Sequence, residues 1–216
     1  MKRVLGNNYQ STIGEEKANT ISHAVMALIT LCTIPFATLW VNKIGTTTDI
    51  IGVSIYMICL FGMFLTSTLY HMMPEGSIKE KFHLLDHIFV YITIASCYTP
   101  ASLSIIGGWQ GIVLLCIEWS IVVFGIFYKT FAKVQNNKVS VALYIAMGWL
   151  IVFFLPTFFH NASKECIISL FVGGILYTIG AIMYAKWHFK YHHFVWHLFI
   201  NAAAICQFLS FVIYLK

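Results

Sequence analysis

Seven apolar runs follow one another along the chain, at roughly 20–41, 50–71, 85–105, 110–128, 139–159, 167–186 and 193–215. A helix needs about 20 mostly apolar residues to cross the hydrocarbon core of a bilayer. In lipid every backbone polar group must be bonded within its own segment, which runs of this length achieve only as helices. Short polar loops separate them. Pro35, Pro100 and Pro156 fall inside runs, where neighbours or water can satisfy the carbonyl each proline frees. The pattern predicts an all-α integral membrane protein: a seven-transmembrane helix bundle forming one domain over residues 1–216, with 1–19 as a polar N-terminal segment.

Composition agrees. The chain is 59% hydrophobic and only 10% charged, where soluble domains run near a quarter charged. The N-terminal segment lacks the apolar core and small-residue cleavage site of a signal peptide, so the first run is expected to remain as a span. The six cysteines stand singly in or beside the apolar runs, with no C-x-x-C. They read as small hydrophobes rather than disulfides or a zinc knuckle.

A net charge of +5 is no nucleic-acid feature here, because the basic residues are scattered over short loops. Their distribution predicts orientation instead. Lys2, Arg3, Lys17, Lys79, Lys81, Lys129, Lys133, Lys138, Lys186 and Lys190 lie on the N-terminal side, and only Lys43, Lys164 and Lys216 on the other. Ten against three puts the N-terminus in the cytoplasm and the C-terminus outside.

That orientation brings polar residues far apart in sequence to one depth. The second run ends TSTLYHMMP with His71, and the third begins HLLDHIF with Asp86 about one turn in. The seventh begins with His193 and His197, and the first with EEKANTISH, bearing Glu16, Asn19 and His23. Ionisable residues in spanning helices are costly and point to function. His193 and His197, four apart, present two ring nitrogens on one helix face, and His71 supplies a third from another helix. Three imidazoles suit zinc and leave a fourth position open for water. Asp86 is placed to act as that water's hydrogen-bond partner and general base. Ser67, one turn before His71, is placed to orient its ring.

Blander readings stay open beside this one. An H-x-x-x-H pair also suits imidazoles resting at headgroup level, and His188 and His192 read that way. His160, at the opposite face, reads as an interfacial residue. His83 and His87 flank Asp86 with no assigned role, and Asp86 itself could be a structural carboxylate paired to a lysine.

The segments GEEKANTISHAVMA, STLYHMM, LLDHIFVYITIASCYTP and YHHFVWHLF together resemble the hemolysin III family, the bacterial branch of the progestin and adipoQ receptor superfamily. Three short motifs carry the resemblance in order over nearly the whole chain: E-x-x-N-x-x-x-H (Glu16, Asn19, His23), S-x-x-x-H followed by an aspartate (Ser67, His71, Asp86), and H-x-x-x-H (His193, His197). The resemblance implies a multi-pass protein of the bacterial plasma membrane with a zinc ion near the cytoplasmic face. It implies that His71, His193 and His197 are the ligands and that Asp86 holds water. Two positions depart from the family pattern, Gln207 where many relatives carry histidine and Ser96 where they carry glycine.

Two functions follow as expectations. The first is a zinc-dependent intramembrane hydrolase of a lipid amide or ester, with membrane lipids as partners and substrate. The second is a non-enzymatic cytolysin, or a sensor of membrane state with a structural zinc. Runs four to six read as almost wholly apolar, which argues against a wide monomeric pore.

Overall fold

The computed structural model describes residues 3–5, 11–132, 134–187 and 189–215. His188 and the topological lysines Lys2, Lys133 and Lys216 lie outside these. Among the described residues, seven helical spans are long and apolar enough to cross a membrane: Ile13–Ile44, Thr47–Met72, Ser77–Ile106, Gly108–Phe131, Val139–Asn161, Lys164–Lys186 and His192–Ile213. The protein is an all-α, multi-pass membrane protein. Its one strand pairing is small: β1 (Arg3–Leu5) lies parallel to β2 (Val134–Asn136).

The helices start earlier than hydropathy alone suggests, because their first turns are polar and capped. Helix α1 (Ile13–Ile44) begins at a capping box. The Thr12 hydroxyl accepts from the Glu15 amide at 3.3 Å, and Glu15 Oε2 accepts from the Thr12 amide at 2.8 Å, pairing two donors that a helix start leaves free. Helix α2 (Thr47–Met72) repeats the device with Thr46 and Asp49. Helix α2 packs on both α1 and α3 (Ser77–Pro100). Tyr56, Phe64, Leu114 and Phe211 are fully buried between helices. Leu28, Ile58, Ile112, Phe127 and Ile205 face outward, where lipid rather than water surrounds them.

Pro35 lies inside the continuous helix α1, whereas Pro100 and Pro156 stand beside changes of helix type. At Pro100 the third span changes to π-helical turns over Ala101–Ile106. Gly52 allows α2 to close against the break, since a Cβ there would come within 2.9 Å of Pro100 Cα. Helix α4 (Gly108–Phe131) follows. The fifth span is discontinuous: α5 (Asn137–Gly148), a 3₁₀ stretch Leu150–Phe154, then α6 (Leu155–Asn161) with Pro156 in its first turn. The Val152 amide turns back to the Trp149 carbonyl, so the Gly148 carbonyl loses its helical donor. The Tyr98 hydroxyl replaces that donor at 2.8 Å and accepts from the Ile151 amide at 3.2 Å. One side chain from α3 satisfies both ends of the break, as irregular backbone at membrane depth requires.

Helices α7 (Lys164–Lys186) and α8 (His192–Phe208) complete the bundle, α8 ending in π-helical turns Leu209–Ile213. Tyr191, which caps α8, has a left-handed backbone with φ of 64°, a conformation rare for a non-glycine residue. Glu15 Oε1 accepts its amide at 2.7 Å, so the carboxylate that caps the first helix also holds the start of the last. The six cysteines are free thiols.

Candidate metal centre

The start of α1, the end of α2 and the starts of α3 and α8 meet at one end of the bundle. His71, His193 and His197 converge there, each offering a ring nitrogen, and these three atoms lie within 4.8 Å of one another. The ring centroids are 4.8 Å apart for His71–His193 and for His193–His197, and 5.1 Å for His71–His197. Each pair meets edge to face, so the rings surround a common point rather than stacking on each other.

Two of the rings are fixed by residues of α1. Glu16 Oε2 accepts from His71 Nδ1 at 3.1 Å and from the Lys79 ammonium at 3.2 Å, while the Asn19 amide nitrogen packs 3.5 Å from the same His71 nitrogen. With its proton on Nδ1, His71 carries a lone pair on Nε2, and that atom is buried with no hydrogen-bond partner among the described residues. His197 is set the same way. The Ser22 hydroxyl gives its one proton to the Asn19 carbonyl at 2.8 Å. Ser22 Oγ, 3.0 Å from His197 Nδ1, is therefore an acceptor and holds the proton on Nδ1, leaving Nε2 as the donor atom of the ring. A buried, unpartnered imidazole lone pair is costly unless something electron-poor sits against it. The donor set fits zinc, with one position left open.

The other predicted residues distribute as follows. Ser67 lies within hydrogen-bonding reach of Asp86, and Asp86 in turn feels the charge of His71. Glu16 lies at the His71 ring nitrogen, and Ser67, one turn deeper on α2, meets α3 at Asp86. His23 lays its face on His197, centroids 3.6 Å apart and planes 10° from parallel, with both nitrogens unpartnered among the described residues. His192, expected at headgroup level, is instead buried and sets Nδ1 2.9 Å from the Phe189 carbonyl. His160 is exposed, at the far end of α6.

Three residues outside the predicted set belong to this end of the bundle. Ser22 stood beside His23 in the TISH segment and, three residues from Asn19, shares its helix face. Lys79 and Lys129 were counted as loop charges, yet both are buried. Lys129 donates to His87 Nδ1 at 2.9 Å and feels the charge of Asp86, so it brings a cation to the side of α3 away from the trio. Of the two departures from the family pattern, Gln207 accepts from the Cys97 thiol at 3.0 Å and from Tyr177 at 3.4 Å. Ser96 returns its hydroxyl to Thr93 of its own helix at 2.8 Å, so it is buried without needing a partner across the interface.

Fold and site together define a class: a seven-helix membrane protein with an imidazole trio, two of its rings buried and one half-buried, at one end of the bundle. The family described as "Haemolysin-III related" matches residues 11–208, and the chain belongs to that family. It is 32% identical to the Hemolysin-3 homolog of Bacillus subtilis (strain 168), over 94% of this chain and 95% of the relative. Hemolysin-3 of Bacillus cereus is also 32% identical, over 94% and 92%. Monocyte to macrophage differentiation factor of Homo sapiens is 24% identical over 74% of this chain and 69% of its own. No solved structure matches.

Proposed function

We propose that this protein is a zinc-dependent hydrolase of a lipid amide or ester, working at the cytoplasmic end of the bundle. His71, His193 and His197 hold the ion and Asp86 is the general base. The observation that carries the reading is the convergence of one ring nitrogen from each of His71, His193 and His197 within 4.8 Å of one another, with Glu16 and Ser22 of α1 set behind the Nδ1 atoms of His71 and His197. Zinc, when bound, polarises a carbonyl and makes water a nucleophile near neutral pH. Asp86 is the residue that takes the proton from the attacking water, and Ser67 keeps its carboxylate in place. His193 lies against Tyr184, their rings meeting edge to face at 5.2 Å, which limits rotation on the α7 side.

A lipid substrate is supported by an apolar cavity of about 120 Å³ lined by Met63, Tyr177, Trp196, Ile200 and Gln207 among others. Trp196 and Ile200 belong to α8, the helix that also carries His193 and His197, so the cavity and the trio share one helix. A second reading rests on the name of the Bacillus relatives, Hemolysin-3: a membrane-lysing protein whose zinc is structural.

Asp86→Asn separates the two. It keeps size and hydrogen-bonding capacity but removes the base, so the enzyme reading expects full zinc content with turnover lowered by roughly 10²–10⁴-fold. The assay is a lipid amide and ester panel presented to purified protein, with metal content measured on the same sample. Wild-type turnover in zinc-loaded Asp86→Asn protein would exclude the role given to Asp86. Lysis that persists unchanged, with no turnover in either protein, would favour the second reading.

A further inference from the structure

Glu118 stands in the middle of α4, in the segment LLCIEWSIV. At 1.5 Å per residue it is roughly 15–20 Å from either end of the helix. Its side chain is completely buried, and neither carboxyl oxygen has a hydrogen-bond partner among the described residues. The reading of spans four to six as almost wholly apolar overlooked it. An ionised carboxylate in such a place costs far more than burial of its methylenes returns, unless a cation or a set of donors meets it.

The titratable groups on the elements packed against α4 give no cation at this depth. From α3, Tyr98 and Cys97 feel the charge of Glu118. Tyr98 is engaged with the break in the fifth span, and Cys97 with Gln207. Tyr91 of α3 and Tyr144 of α5 pair with each other, their centroids 4.6 Å apart, against Gly125 two turns nearer the cytoplasmic end. The turns Ala101–Ile106 and the 3₁₀ stretch Leu150–Phe154 carry no titratable side chain. Along α4 itself, Leu114 and Val122 continue the buried stripe on either side. Twelve residues of α3 separate Tyr98 from Asp86, about 18 Å along the helix, so Glu118 is not part of the imidazole site.

We infer that Glu118 is a separate proton-binding site at the middle of the bundle, exchanging its proton when the Tyr98 hydroxyl leaves the break in the fifth span. Tyr98 is a hydroxyl donor of α3 that feels the charge of Glu118, and its one proton lies on the Gly148 carbonyl. A carboxylate formed at Glu118 draws that proton from the Gly148 carbonyl, which opens the break. A neutral carboxyl leaves Tyr98 on Gly148 and the break closed. The inference is independent of any hydrolytic reading.

The test is infrared difference spectroscopy of the whole protein in nanodiscs as pH is raised, with peptide mapping after treatment with a hydrophobic carbodiimide, which attacks un-ionised carboxyls. The carbonyl band of a neutral acid should be present at neutral pH, absent in Glu118→Gln, and lost at alkaline pH. Carbodiimide should mark Glu118 with the same pH dependence, at a level unchanged by sodium or potassium. Tyr98→Phe should move the midpoint to higher pH, because the new charge then has no hydroxyl to receive it. An ionised Glu118 at neutral pH, or protection from carbodiimide by sodium at fixed pH, would overturn the proton site. An unmoved midpoint in a folded Tyr98→Phe protein would overturn its link to the break.

Discussion

Glu16 Oε2 lies 3.1 Å from His71 Nδ1 and is bonded on its other side by Lys79. A carboxylate behind a metal-binding imidazole fixes its tautomer and raises its basicity. Glu16→Gln should therefore lower zinc affinity by about 10–100-fold with the helical content intact. Ser22→Ala should act in the same direction through His197. Competition titration against a chelating dye measures both, and unchanged affinity in both variants would show that α1 does not govern the site.

Zinc should be present at about one ion per chain and should stabilise the bundle, since it joins α2 to α8 and requires the folded state. At a free concentration 100 times its Kd, the gain is about 2.7 kcal/mol. Chelation should lower the thermal midpoint of wild type and leave His71→Ala, already metal-free, where it was. Equal zinc content in wild type and a His71→Ala, His193→Ala, His197→Ala variant would refute the ligand set.

Tyr98→Phe removes one oxygen and strands two backbone groups, the Gly148 carbonyl and the Ile151 amide. Each buried group left unpaired costs about 1–3 kcal/mol. The loss should appear in unfolding experiments and in faster amide exchange around residues 148–154. A Tyr98→Phe protein as stable as wild type would mean that water replaces the hydroxyl at the break.

Orientation can be checked directly. The lysine and arginine bias predicts a cytoplasmic N-terminus, so a reporter fused after Lys216 should be active outside the cytoplasm. Activity inside would reverse the bundle and place the imidazole trio at the outer face.

Much of this was legible in the sequence because of how membranes constrain chains. The seven spans appear in hydropathy, and His71, Asp86, His193 and His197 stand out as polar groups at the ends of apolar runs. What hydropathy hid was which polar residues turn inward. Lys79 and Lys129 look like loop charges because they sit where spans end, yet helix rotation turns each one inward to a partner on another helix. Ser22 is a small residue in a helix, and only its contact with His197, 175 positions away, gives it a role. Glu118 was visible as an acidic residue in a greasy run. Its neighbours in the sequence, Ile117 and Trp119, offer a carboxylate no partner. The break at Gly148 depended on a tyrosine 50 positions earlier.

The clasp between Glu15 and the Tyr191 amide has a consequence for biosynthesis. The ends of the protein that it joins are made at opposite ends of translation, and about 120 residues also separate His71 from His193. At 5–20 residues per second, the ribosome needs roughly 6–24 s to cover that distance. Throughout that interval Glu15, Glu16 and Ser22 are already in the membrane with no final helix to hold. Maturation therefore comes as a closing step, in which arrival of α8 docks the last helix on the first and assembles the histidines at once. A nascent chain truncated before residue 192 has one histidine of the three, so any metal held by the trio can be taken up only after α8 has been made.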